Sequence, residues 1–269
     1  MPTRQVGSYN GRNTTVNKEA LKTCAIFCVW DDWDLLKYSV ANIRPVVDGI
    51  IIVGSNYSNY LELSAIPPEW HTTELYIKEP VIPHVMHAET EKRNYGLSIA
   101  REQGYTHFVM MDADEFYSPI DFLTEKKRFI DNPDLAGLVC GSRVYFGRPD
   151  LTIGMDTTRV PFIHKITPDL KHEFNRRYPF AWVNGRDIRI DPTRSFNINQ
   201  GIEWSDIVMH HYSWCRKDPV KKIRNSTARA NLERSTILQD LSEAKPGHFC
   251  QFYQKPLSRA TVDFGIPCD

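Results

Sequence analysis

The segment His107–Tyr117, HFVMMDADEFY, constrains this chain more than any other. Phe108 to Met111 form an apolar run of strand length, and Asp112, Ala113, Asp114 and Glu115 follow without a break. A buried strand that ends in carboxylates delivers them at the carboxyl edge of a sheet, where open α/β folds bind ligands. Side chains alternate along an extended segment, so an Asp-x-Asp pair sends both carboxylates to one side. Two hard oxygen donors together suit Mg2+ or Mn2+ and leave room for phosphate oxygens. An acidic turn capping the next helix is the simpler alternative for the same residues.

One short helix upstream lies Lys92–Ala100, KRNYGLSIA. Arg-Asn-x-Gly, an apolar helix face and then a strand ending in Asp-x-Asp, in this order and spacing, resemble the nucleotide-sugar half of a GT-A glycosyltransferase, in particular the family 2-like group. The resemblance covers about residues 22–120 well and His210–Trp214 weakly. It implies an α/β, GT-A (Rossmann-like) fold with a mixed, mainly parallel sheet flanked by helices. It also implies a metal-dependent hexosyl- or pentosyltransferase with Mn2+ or Mg2+ as cofactor. The donor is then a nucleoside-diphosphate sugar, a UDP-sugar being favoured. The acceptor hydroxyl stays open between a saccharide and, as a minor option, a nucleobase in DNA.

Carried over residue by residue, the resemblance gives Asp31 or Asp32, after the first strand, to the base and ribose of the nucleotide. Gly54 stands where an acidic residue is common after the second strand, which leaves Ser55 and Asn56 to hydrogen-bond. Arg93 and Asn94, early in their helix, are expected to reach the diphosphate or ribose. Asp112 and Ala113 line the nucleotide site, and Asp112 and Asp114 hold the metal. A late-strand histidine is the third ligand, since neutral imidazole suits Mn2+. His210 and His211 face opposite ways on a strand, and His211 is favoured for the site.

An inverting enzyme also needs a general base near the acceptor. Glu203 and Asp206 lie just before the histidine pair, and Glu173 is a further candidate, with Glu115 and Asp187 behind them. Lys217, Lys221, Lys222 and Arg224 crowd the start of a helix opened by Asp218-Pro219. Cations at a helix N-terminus oppose its dipole, so their placement points to an anion such as the donor diphosphate, for which Lys217 is the expected contact. Simple solvation of that face is the alternative.

Length and charge frame these expectations. The 269 residues are 41% hydrophobic and 25% charged, ordinary for a globular chain, and hold no apolar run of membrane-spanning length. Residues 1–22 are polar and read as an N-terminal arm without a secretory core, and six cysteines without a CxxC pair fit a reducing, cytoplasmic setting. Residues 23–241 read as a single catalytic domain, with a nucleotide-sugar half at 23–120 and an acceptor half at 136–241. Residues 242–269 read as an irregular tail. The net charge is zero, yet residues 1–135 carry 13 Lys+Arg against 19 Asp+Glu, and residues 136–269 carry 20 against 14. The basic half includes Arg176, Arg177, Arg186, Arg189 and Arg194 interleaved with Tyr178, Phe180 and Trp182, a pattern that suits sugars, phosphorylated acceptors or nucleic acid.

Local signals place strands at 23–29, 48–53, 74–77, 107–111 and 136–146, with shorter pieces at 162–166, 181–183, 188–190 and 207–209. Helices are expected after Asp32 or Asp34, over Thr90–Gln103 with Thr90 as N-cap and Gly104 as stop, from Ser118-Pro119 to about Ile130, and over about 219–241. Three other functions stay open: a phosphohydrolase with Asp112 as nucleophile, a nucleotidyltransferase, and a non-catalytic carbohydrate- or nucleic-acid-binding module on a glycosyltransferase scaffold.

Overall fold

The apolar runs of the first half become strands buried on both faces, as parallel strands covered by helices require. The computed structural model describes residues 21–80, 85–173, 180–183, 186–197, 200–226 and 228–267; the expected N-terminal arm therefore lies almost wholly outside the described residues. In chain order the first half is β1 (Thr23–Cys28), α1 (Trp33–Ile43), β2 (Gly49–Gly54), β3 (Leu75–Ile77), α2 (Val85–Glu102), β4 (His107–Asp112), β5 (Glu115–Phe116) and α3 (Pro119–Asp131). The second half has β6 (Gly137–Phe146), β7 (Arg148–Lys165), β8 (Phe180–Val183), β9 (Arg186–Arg189), β10 (Ile202–Trp214), α4 (Pro219–Asn225), α5 (Arg229–Leu232), α6 (Ile237–Ser242), β11 (Phe249–Cys250), β12 (Lys255–Pro256) and β13 (Ser258–Arg259).

The main sheet runs β3-β2-β1-β4-β7-β6-β10-β8-β9, with β5 beside β10 and β13 beside β7. β3, β2, β1 and β4 are parallel, whereas β7 runs antiparallel to both β4 and β6. This is the expected α/β class with a parallel half that turns mixed. The chain winds outward from β1 to β3 and then returns to place β4 on the other side of β1. Such a reversal opens a crevice at the carboxyl ends of the two central strands.

Alternation along β1 divides the core. Ala25 and Phe27 pack with Leu36, Val40 and Ile43 of α1 and with Phe122 and Phe129 of α3. Cys24 and Ile26 face the other way, onto Leu97 and Ala100 of α2. Gly96 explains the glycine of Arg-Asn-x-Gly: a Cβ there would sit 2.4 Å from Ile26 Cγ2 and 3.0 Å from Val53 Cγ2. The helix rides so low on the sheet that only glycine fits.

Several expected boundaries move. α2 begins at Val85, so Thr90 lies inside it, while Gly104 stops it with φ +70° as expected. The single helix expected over 219–241 is three short ones. Ser226 Oγ accepts from Ala228 N (3.1 Å) and Ser235 Oγ donates to Leu232 O (2.6 Å), local bonds that compete with the helical ladder. β7 starts fourteen residues before the expected piece at 162 (148 against 162), and its register shifts near Gly154 (φ +80°) and Pro161 are the bulges that obscured it. The stretch read as an irregular tail is tied down: β13 pairs with β7, and buried Asp240 accepts from the backbone N–H groups of Gln251 (3.0 Å) and Phe252 (2.9 Å).

Two buried histidines make the fold acid-sensitive. His164 and His172 are 3% and 2% exposed, both stack on Phe196, and none of their ring nitrogens has a hydrogen-bond partner among the described residues. Burial pushes His164 down to about 3 and His172 well below the ordinary histidine range. Both are neutral when folded but protonate near pH 6.5 when unfolded. Stability is therefore full above pH 6.5 and falls as pH drops toward 3, by roughly 2 kcal/mol per histidine at pH 5. Urea midpoints at pH 7.5 and 5.0 should show the loss, to which buried His107 and His210, both pushed down to about 4, also contribute. His164→Leu should remove roughly 2 kcal/mol of it, and an unchanged pH dependence in that variant would contradict the assignment.

Candidate active site

β1 and β4 end side by side, with Cys28 opposite Asp112. Beyond β4 the chain turns through Ala113 and enters β5, which pairs antiparallel with β10 at His210 and His211. Tyr212 N donates to Asp114 O at 2.8 Å and fixes that turn. Asp112, Asp114 and His211 therefore converge on one pocket of about 270 Å3, which also takes in Asp31, Asp32, Lys92, Arg216 and Lys222. His211 faces the pocket, with Nε2 3.5 Å from Asp114 Oδ1, while His210 is buried with Nδ1 2.7 Å from Tyr145 Oη. The alternation argument for the pair thus agrees with the geometry.

Cations hold both carboxylates. Asp112 accepts from Arg93 at 3.1 Å on Oδ1 and from Arg194 at 2.6 Å on Oδ2. Asp114 Oδ2 lies 2.6 Å from Arg216 Nη2 and 3.4 Å from Lys222 Nζ. Burial pushes both carboxyls up, but Arg194 and Arg93 hold Asp112 below the ordinary range, and Lys222, His211 and Arg216 hold Asp114 well below it. Arg216 also pairs with Asp32, whose carboxyl burial raises despite that partner. Lys221 pairs with Asp31 at 2.6 Å.

Other expected contacts have structural partners instead. Arg93 is fully buried, gripped by Glu89 (2.7 Å) and Asp112, and lies behind the pocket wall rather than in it. Asn94 spends its amide on the backbone of His172, donating to O at 3.0 Å and accepting from N at 2.7 Å. Ser55 is buried and donates to Glu79 at 2.6 Å, so the turn after β2 holds Glu79. Ala113 is 2% exposed and packs in the core. Glu115 is buried, accepts from Asp112 N at 3.0 Å and pairs with Arg194.

The base candidates are not brought to this pocket. Glu203 begins β10 and pairs with Arg128 at 2.6 Å, and Asp206 Oδ1 accepts from Trp204 Nε1 at 3.1 Å. On an extended strand Glu203 lies roughly 26 Å from His211. Glu173 is exposed and pairs with Lys171 at 2.9 Å. The side chain of Asp187, Arg176, Arg177 and Tyr178, and the side chains of Phe180, Trp182, Arg186 and Arg189 lie outside what is described.

Of the cations gathered around Asp112 and Asp114, Lys222 was expected near an anion and Arg194 only as one of the basic residues of the second half, while Arg216 was named by no motif. Asp191-Pro192-Thr193-Arg194 carries a readable signal: Asp191 Oδ1 accepts from Thr193 N at 2.9 Å and starts a short turn that aims Arg194 at β4. Lys217 does not share the pocket. It lines a second cavity of about 710 Å3 with Trp33, Asp34, Glu69 and Trp70. Asp31, Asp32 and Arg216 line both cavities and form the wall between them.

The donor set fits a divalent ion at Asp114 and His211, with Asp112 lining the same pocket. Two adjacent ligands of an octahedral ion bound at ~2.1 Å lie about 3 Å apart, close to the separation of Asp114 Oδ1 and His211 Nε2. Both oxygens of Asp112 accept from guanidinium groups whose side chains are 0% and 3% exposed. Among the described residues no three acidic, histidine or cysteine side chains gather as a ready-made metal cage. Asp112, expected as a metal ligand, anchors two buried arginines and lines the same pocket.

No family model matches the sequence, and neither does any curated protein. Among solved structures the chain is similar to residues 1–349 of TarS from S. aureus, at 12% identity and TM-score 0.40, over 82% of this chain and 70% of that one. It is also similar to glucosyl-3-phosphoglycerate synthase from Mycobacterium tuberculosis in complex with Mn2+, UDP-glucose and phosphoglyceric acid, at 11% identity and TM-score 0.40, over 90% of this chain and 89% of that one. Against the longer S. aureus TarS structure (14% identity, TM-score 0.32) the match covers 46% of this chain and spans 22% of that one. At these values the likeness assigns no activity to this chain. No helix among the described residues is long and apolar enough to cross a membrane.

Proposed function

We propose that this chain is a glycosyltransferase that moves a hexosyl or pentosyl group from a nucleoside-diphosphate sugar, with a UDP-sugar as the favoured donor. The observation that carries the reading is the pocket at the ends of β1 and β4, where Asp114 and His211 stand among Arg216 and Lys222. Departure of a diphosphate needs its growing negative charge neutralised where it forms. Arg216 and Lys222 stand ready there, because Asp114 has already fixed their positions. A divalent ion, Mn2+ or Mg2+, held by Asp114 and His211 would supply Lewis-acid stabilisation of the same group.

The larger cavity takes the acceptor on this reading. Its Asp34, Glu69 and Lys217, unpaired among the described residues, and the Trp33–Trp70 pair suit a saccharide better than a base in DNA, since they offer both hydrogen-bonding signs and an aromatic surface. Asp31 and Asp32, which line both cavities, are then the groups positioned to take the acceptor's hydroxyl proton. A phosphohydrolase reading is disfavoured because both Asp112 oxygens are paired with arginine and neither is free to attack.

Thermal shift with UDP, GDP, CDP and dTDP, each with and without Mn2+, tests the proposal. A ligand bound by the native state alone raises Tm by mass action. One nucleotide should raise Tm, and Mn2+ should enlarge the shift, since two protein ligands need phosphate oxygens to complete the coordination. No shift with any of the four would sink it.

A further inference from the structure

Lys92 follows from none of the motifs, yet its environment is the most unusual of any cation at the site. It sits on α2 beside Arg93, is 5% exposed, and lines the 270 Å3 pocket. Among the described residues its ammonium has no hydrogen-bond or ion-pair partner, whereas Arg216, Lys221 and Lys222 are all paired. The nearest carboxylates are committed elsewhere. Glu89 is bonded to Arg93, and Glu79 accepts from Ser55 and from both nitrogens of Asn56. Burial accordingly pushes the amine below the ordinary lysine range. The residue is buried while its ammonium opens on the pocket, leaving a cation unpaired where a ligand can supply the missing charge.

Its place within the pocket says which charge. The groups acting on Lys92 are Cys28, Glu89, Glu79 and Arg93, and those acting on Lys222 are Arg216, Asp114, Asp32 and Asp112. Lys92 reaches the pocket from α2, whereas Lys222 reaches it from α4 and lies 3.4 Å from Asp114. A diphosphate whose sugar-bearing phosphate lies at Asp114 and Lys222 would extend its other phosphate and the nucleoside toward Lys92.

We propose that Lys92 is a positioning residue for the donor, binding the phosphate on the nucleoside side of the diphosphate. The role rests on the donor reading above. Lysine serves here as a compact point charge with three donors, suited to phosphate oxygens.

The test is calorimetric titration of uridine, UMP and UDP into the wild-type protein and Lys92→Met, with Tm measured for both proteins without ligand. Lys92→Met should weaken UMP and UDP alike by about tenfold or more and leave uridine unchanged. Its ligand-free Tm should rise by about 2–4 °C, because a similar-sized apolar side chain replaces an unpaired charge. UDP binding that survives the substitution intact, or a loss shared equally by uridine, would overturn the role while leaving the donor reading in place. A wild-type protein that binds no UDP would overturn the donor reading and this role together.

Discussion

Arg194→Met should lower the unfolding free energy by about 3–5 kcal/mol, a Tm decrease of roughly 10 °C. Arg194 is 3% exposed at its side chain and carries Glu115, itself 1% exposed, together with one oxygen of Asp112. Removing it leaves Glu115 buried without a cation beside the pocket-lining Asp112, which keeps Arg93. Breaking a buried pair from one side costs more than the pair contributes, because the uncompensated charge stays behind. The double variant Arg194→Met, Glu115→Gln should therefore recover part of the loss, and a double variant no more stable than the single one would contradict this account of the site's framework.

Asp114→Asn should abolish turnover without unfolding the protein, with a loss of about 10²–10³-fold or more. The amide matches the carboxylate in shape but carries no charge to draw Arg216, Lys222 and His211 into one cluster and is a far weaker ligand for a divalent ion. Urea midpoints should fall at neutral pH, because Arg216 and Lys222 lose the buried carboxylate they share, while the protein remains folded. The carboxyl is held well below its ordinary range, so its contribution to stability is present above about pH 4 and lost only below that, as pH falls toward the folded value. Any acid limb of activity above pH 5 therefore arises from another group. Turnover close to that of the wild-type protein in Asp114→Asn would remove Asp114 from the machinery.

The legible and illegible parts of this chain divide by distance along it. The Asp-x-Asp turn was readable because one apolar run and its next residues contain the whole signal: β4 ends at Asp112, and Asp114 follows into the pocket. The glycine of Arg-Asn-x-Gly was readable as a motif, while its reason, contact with Ile26 and Val53, depends on packing. The resemblance gives Arg93 and Asn94 to the ligand, whereas their bonds run to Asp112 and His172, 19 and 78 residues away. Arg194 reaches Asp112 across 82 residues, and no local pattern specifies that. Glu203 and Asp206 show the converse error: nearness in sequence to His211 means separation in space when the intervening chain is a strand.

The measurement that bears most directly on the central claim is release of nucleoside diphosphate from UDP-, GDP-, CDP- and dTDP-linked sugars in the presence of Mn2+. The site described here predicts release from one base class, dependent on the divalent ion and lost in Asp114→Asn. No release from any of the four, or release that Asp114→Asn leaves unchanged, would contradict it.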